Sequence, residues 1–194
     1  LHTLQHPPAD AALAALSDHS HPAWQRLKFE ELLAQQLSQA HSRLQRQHLR
    51  APPLHGGGGL RQRLQQALPF GLTAAQQRVG AEIASDIARA QPMHRLLQGD
   101  VGSGKTVVAA LAAATAIDSG WQCALMAPTE ILAEQHFGKL VQWLQPLGVD
   151  VAWLSGSRRG KVRARQIERI ASAEAMLVVG THAVIQDDVR FARL

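Results

Sequence analysis

Apolar residues recur at helical spacing from Trp24 through Leu27, Leu32, Leu33, Leu37 and Ala40 to Leu44, which predicts one long amphipathic helix over roughly residues 22–49. The repeat is not a strict heptad, so its apolar stripe fits a connector helix packed on a neighbouring domain better than a coiled-coil seam. Up to about Pro69 the chain holds no strand-like run, is rich in Gln, His, Ala and Leu, and is broken by Pro7, Pro8, Pro22, Pro52 and Pro53. Pro52, Pro53 and the glycines at 56–59 read as a flexible connector. Beyond it, short apolar runs alternate with longer amphipathic ones, the pattern of a parallel sheet with crossover helices. Strands are expected at 95–98, 122–127, 150–154 and 175–179, and helices at 74–90, 105–118, 130–144 and 160–171. The expected division is a helical linker over 1–55, a Gly-rich connector with a short helix over 56–68, and an α/β unit over 69–194.

Residues 99–106, GDVGSGKT, complete the pattern G-x-x-x-x-G-K-[ST], follow the apolar run at 95–98 and open a segment rich in Ala and Val. Glycines permit backbone angles that let the N–H groups of Gly99, Asp100, Val101, Gly102, Ser103 and Gly104 turn inward around a phosphate. The following helix N-terminus adds partial positive charge there. Lys105 is the expected catalytic residue, reaching the β- and γ-phosphates. Thr106 is the expected ligand of Mg²⁺, a hard cation that keeps most of its waters. ATP and Mg²⁺ are therefore the expected cofactors. Kinases, transporters, GTPases and helicases share the pattern, so it does not by itself say what the nucleotide is spent on.

Residues 95–106 (RLLQGDVGSGKT) and 127–136 (APTEILAEQH) closely resemble RecG helicases of superfamily 2, and residues 153–157 (WLSGS) and 179–183 (VGTHA) fall where later motifs of that family's first motor lobe fall. The resemblance covers about 68–194. It implies a RecA-like P-loop fold, an ATP-driven motor on duplex DNA, and remodelling of branched molecules such as stalled forks and recombination junctions. Related transcription-repair translocases and replication-restart helicases share the architecture. The implied partners are branched DNA and the rest of a parent helicase, its DNA-binding wedge domain and second motor lobe; residues 22–44 more distantly resemble the linker joining wedge to motor. Residues 69–76 (PFGLTAAQ) resemble the superfamily's adenine-recognition element, which makes Phe70 and Gln76 candidate base contacts. Thr73 and Gln76 also form a capping-box pattern, a role compatible with the first.

Ligands of open parallel sheets gather beyond the carboxyl ends of the strands. Pro128 and Thr129, Ser155 and Gly156, and Thr181 and His182 each follow an expected strand, so these six are candidate contacts to a DNA sugar-phosphate backbone. Helix capping by Thr129 and a turn at Gly156 are the competing readings. Arg158, Arg159, Lys161, Arg163, Arg165 and Arg169 form the densest basic cluster, explained well enough as a solvated helix face.

Composition narrows the picture modestly. With 20 Lys+Arg against 15 Asp+Glu, a net charge of +5 allows a polyanionic partner without demanding one. A lone Cys123 excludes a disulfide framework and points to a reducing cytoplasm, and the ten histidines show no metal-binding spacing. No apolar run approaches the roughly 18 residues of a membrane span. The start carries neither an initiator Met nor a signal-peptide pattern, so the chain reads as cut from a longer one. No apolar run closes with the Asp-Glu pair that would complete hydrolysis in this class, Asp187 and Asp188 lying in a polar stretch. The expectation is an incomplete lobe that binds ATP weakly without turning it over. A P-loop ATPase acting on proteins or in transport, and a non-catalytic interaction module docking through the long helix, remain open on sequence alone.

Overall fold

The structure, a computed structural model, describes residue 6 and residues 13–57, 59–156 and 160–194. It divides into two compact units, 1–50 and 51–194. Part of the basic cluster, Arg158 and Arg159, lies outside the described residues, as do Ser157 of the WLSGS run, Gly58 of the glycine run, and Pro7 and Pro8.

The first unit holds α1 (Leu13–Ser17) and α2 (Pro22–Gln47). Pro22 opens α2, where its missing N–H costs nothing, and His21 Nδ1 accepts from Ala23 N at 3.1 Å as the cap. Trp24 Nε1 donates to Leu16 O at 3.0 Å and ties the two helices together. The predicted helix forms; of its apolar stripe Leu32, Leu33, Leu37 and Leu44 are exposed, while Trp24 and Leu27 are half-buried.

The second unit contains α3 (Leu60–Ala67), α4 (Ala74–Ile87), α5 (Lys105–Asp118), β1 (Cys123–Met126), α6 (Glu130–Leu144), β2 (Val151–Leu154), α7 (Lys161–Ala171) and β3 (Leu177–Gly180). The three strands are parallel in the order β1-β3-β2, with Met126, Gly180 and Leu154 level at their carboxyl ends. Side chains alternate across the sheet. Leu177, Val179 and Trp153 join a core with Leu64 of α3, Leu111 of α5 and Leu140 of α6, whereas Val178, Ala152 and Leu154 pack with Ile170 of α7 and Val184. Burial on both faces explains why β2 and β3 read as continuous apolar runs.

Two expectations are corrected. Residues 95–98 are not a strand: among the described residues the sheet has three strands, both edges of β3 are taken by β1 and β2, and Leu96 is 80% exposed. Arg95 instead donates to Glu82 at 2.7 Å and to Asp86 at 2.5 and 2.9 Å on α4, contacts its guanidinium could not make from inside an apolar sheet. The segment 56–68 contains the expected short helix, α3, but its glycine end is tied down rather than flexible. Leu60, Leu64 and Leu68 recur every four residues and bury in the main core, Leu60 N donates to Asp118 Oδ2 at 2.6 Å, and Gly56 N donates to Ser119 Oγ at 3.0 Å. An eight-residue helix is marginal alone, so this packing on α5 is what holds α3.

Cys123 fills space as a small apolar residue. Its Sγ donates to Ala113 O at 3.7 Å, and burial pushes the thiol up to about 12. A thiol so raised stays protonated at pH 8, so iodoacetamide should leave Cys123 unmodified in the folded chain and alkylate it in urea, as read by mass spectrometry. Equal labelling in both states would contradict this. Among the described residues no helix is long and apolar enough to cross a membrane.

Candidate nucleotide-binding site

The loop at 99–104 delivers the chain into α5. Gly104 caps that helix at φ 85°, in the left-handed region, and a Cβ there would collide with Gln76 Nε2. Gln76 is positioned from the other side. Thr73 Oγ1 accepts from Gln76 N at 3.3 Å, Gln76 Oε1 accepts from Thr73 N at 2.9 Å, and Gln76 Nε2 donates to Ser103 O at 2.9 Å. The capping box that starts α4 thus also clamps the loop that starts α5.

Lys105 Nζ donates to Gly99 O at 2.6 Å and to Asp100 O at 2.8 Å, lying across the loop. Val107 N and Val108 N donate back to Gly104 O at 3.1 and 3.3 Å, which leaves the amides of Lys105 and Thr106, with no preceding turn to bond to, at an end suited to an anion. Thr106 Oγ1 lies 3.4 Å from His136 Nδ1 on α6. A cleft of about 680 Å³ runs from Phe70, Thr73 and Gln76 past Val101, Gly102 and Gly104 to Lys105 and Thr106, and is walled on the other side by α6. Gly99 belongs to the same fold of backbone, where a Cβ would come 2.6 Å from Ser103 Oγ. The donor set and the space fit a nucleoside triphosphate: cationic Lys105 and helix-start amides with the Gln76 amide bonded beside them to Ser103 O, and the Phe70 ring in the same cleft.

The six candidates after the strands gather as expected at one edge, because the strand ends are level. They differ in what they present. Thr129 is exposed and caps α6, its Oγ1 accepting from Leu132 N at 3.4 Å; Pro128, Gly156 and His182 are exposed as well. Ser155 and Thr181 are buried, 1% and 5% exposed, and Thr181 N donates to Leu154 O at 3.2 Å, so neither residue presents its side chain or its backbone at the surface. In the basic cluster, Arg163 is bound to Asp188 at 2.8 Å and to Gln186 at 2.9 Å, and Arg169 to Asp150 and Glu174. Both therefore serve the fold, while Lys161 and Arg165 remain exposed. The Asp188 carboxylate is engaged on α7 and lies in no strand.

Sequence reasoning missed the wall formed by α6. Leu132, His136, Lys139 and Trp143 all line the cleft, and their spacing of four, three and four residues puts them on one helix face. The periodicity was legible; which helix closes the cleft was not.

The DEAD/DEAH box helicase family matches residues 73–193, the stretch that contains this loop, α6 and the whole sheet. The chain belongs to the DEAD/DEAH box helicase family. Within it, the helicase domain seen here is homologous to RecG helicases: it is 52% identical over 194 residues to the ATP-dependent DNA helicase RecG of Haemophilus influenzae, covering 100% of this chain and 28% of that protein. It is 52% identical over 191 residues to RecG of Escherichia coli K12, covering 98% and 28%. Against RecG of Bacillus subtilis it is 47% identical over 181 residues, covering 89% and 25%. A solved structure of RecG bound to a three-way DNA junction superposes with a TM-score of 0.79 at 40% identity, over 88% of this chain and 23% of that one. The chain thus spans 28% of the length of the first of these relatives. The helicase domain's parallel sheet with crossover helices is the RecA-like P-loop fold.

Proposed function

We propose that this chain is the nucleotide-binding part of the first motor lobe of an ATP-driven translocase that acts on branched duplex DNA in the cytoplasm, in replication-fork regression and junction migration. Its partners in this reading are the DNA and, within a longer protein, a wedge domain and a second motor lobe. The observation that carries the reading is the loop at 99–106 held between the Gln76 clamp and the start of α5, in a chain homologous to RecG along its length.

In this reading the backbone of Gly99, Asp100, Val101, Gly102, Ser103 and Gly104 surrounds the phosphates, and Lys105 exchanges its two carbonyl acceptors for phosphate oxygens. Thr106 Oγ1 holds a divalent cation, Mg²⁺, and Phe70 with Gln76 receives the base. The triphosphate supplies the anhydride whose cleavage drives movement. Pro128, Thr129, Gly156 and His182 bear on DNA phosphates and carry no sequence information, with Ser155 and Thr181 buried behind them at the strand ends. The sequence contains no adjacent Asp-Glu pair, so in this reading the chain by itself binds ATP weakly and does not turn it over.

Titration of a fluorescent ATP with Mg²⁺ tests this. The wild-type chain should bind, and Lys105→Ala should bind at least about tenfold more weakly, the loss of a charge-assisted contact. Phosphate release, measured with and without a three-way DNA junction, should stay at background for both. Equal affinity in wild type and variant would remove Lys105 from the site, and rapid turnover by the wild type would show that the chain needs no further carboxylate.

A further inference from the structure

The far end of the α6 wall meets the base end of the cleft. Trp143 contacts Phe70 edge to face, with ring centroids 6.1 Å apart and planes at 75°. Phe70 lies between α3 and α4, next to Gly71, and is 44% exposed, so its backbone has no regular structure to fix the ring. Trp143, by contrast, sits in the last turn of α6 and packs partly buried against the main core. The rigid partner in this pair is the tryptophan. An edge-to-face contact aligns two rings and leaves a further face of each open, and the open surface of Phe70 adjoins the same cleft as Lys105 and Gln76.

We infer that Trp143 is a positioning residue for base recognition: it holds the Phe70 ring at the angle at which a purine base stacks on it, so that selection of a base depends on α6 as well as on Phe70 and Gln76. The inference rests on the reading of the cleft as a nucleotide site and goes beyond it in assigning the base end to this aromatic pair. A phosphate-only ligand has no ring to stack on Phe70, and Lys105 with the glycine loop supplies the groups that would hold it. The bland alternative is an apolar pair that merely covers the end of α6, in which case removing the indole lowers stability and leaves ligand preference alone.

The two separate in calorimetric titrations of the full chain with MgATP and with Mg-tripolyphosphate. Trp143→Leu keeps apolar bulk without an aromatic ring, and Trp143→Phe restores a ring. Trp143→Leu should weaken ATP binding about five- to tenfold and leave tripolyphosphate unchanged, while Trp143→Phe recovers most of the loss. Tryptophan emission should respond to ADP in the wild type and lose most of that response in Trp143→Phe. Equal weakening of both ligands, or no change in either, overturns the inference while the Lys105→Ala result still supports the nucleotide site. A wild-type chain that binds no ATP overturns both. Should Trp143→Leu fail to unfold cooperatively, the comparison of Trp143→Phe with wild type by emission and by ATP affinity decides: an unchanged ADP response in Trp143→Phe rejects the role.

Discussion

Gly180→Ala should lower the thermal midpoint of the second unit by about 10 °C, a loss of about 3 kcal/mol or more from a domain whose whole stability is of order 5–15 kcal/mol. Gly180 ends the central strand β3, with no unusual backbone angle to explain a glycine. Space explains it. A Cβ there would overlap the carbonyl oxygen of Leu154 on β2 and come within 2.8 Å of Val184 Cγ2. Leu154 O accepts from Thr181 N at 3.2 Å, and Gly180 O accepts from Ala127 N at 2.9 Å, so one residue sits at the crossing of all three strand ends. A methyl group must push β2 away from β3 where Ser155, Gly156, Thr181 and His182 emerge. Circular dichroism melting of the variant checks the expectation, and a midpoint within about 2 °C of wild type would show that the strand ends yield more easily than a packed core does.

Gln122→Leu should cost about 2–3 kcal/mol, although leucine is of similar size and the position is only 3% exposed. Gln122 Nε2 donates to Ile170 O at 2.9 Å and to Ala175 O at 2.8 Å, and its Oε1 accepts from Ala192 N at 2.8 Å and Arg193 N at 3.1 Å. One amide therefore joins the end of α7, the approach to β3 and residues 192–193. Its four bonds use the full donor capacity of the amide and both lone pairs of its oxygen. Leucine leaves Ala175 O without this donor at a fully buried residue, whereas Ala192 and Arg193 are exposed and turn to water. Hydrogen exchange distinguishes this from simple loss of packing: protection should vanish at Ala192 and Arg193 before it changes in β3. Unchanged exchange at those two amides would contradict the assignment.

What the sequence disclosed followed burial. Strands buried on both faces, β2 and β3, were legible to within two residues at each end because nothing polar interrupts them, and the caps at Thr73 and Thr129 were legible because each is a local pattern of side chain and backbone. Leu96 and Leu97 misled because apolar character is a condition for a strand and not its cause; Leu96 stays 80% exposed, and Arg95 is drawn to Glu82 and Asp86 on α4. Leu60, Leu64 and Leu68 were masked by the adjacent glycines, whose flexibility says nothing of what the next turn can bury. At the candidate site, the loop could be read from its glycines and lysine, whereas the contribution of His136, Lys139 and Trp143 depends on where α6 lies in space.

The two bonds from Lys105 Nζ to Gly99 O and Asp100 O make the loop its own competitor. Hydrogen bonds to a charged group contribute roughly 1.5–3 kcal/mol each, so an entering phosphate gains only the excess of its attraction for the ammonium over theirs. Binding at this lysine is an exchange of acceptors. The affinity of the loop therefore measures a difference between two sets of oxygens, and a change that loosens the Gly99 and Asp100 carbonyls from Lys105 would tighten phosphate binding without adding a single contact to it.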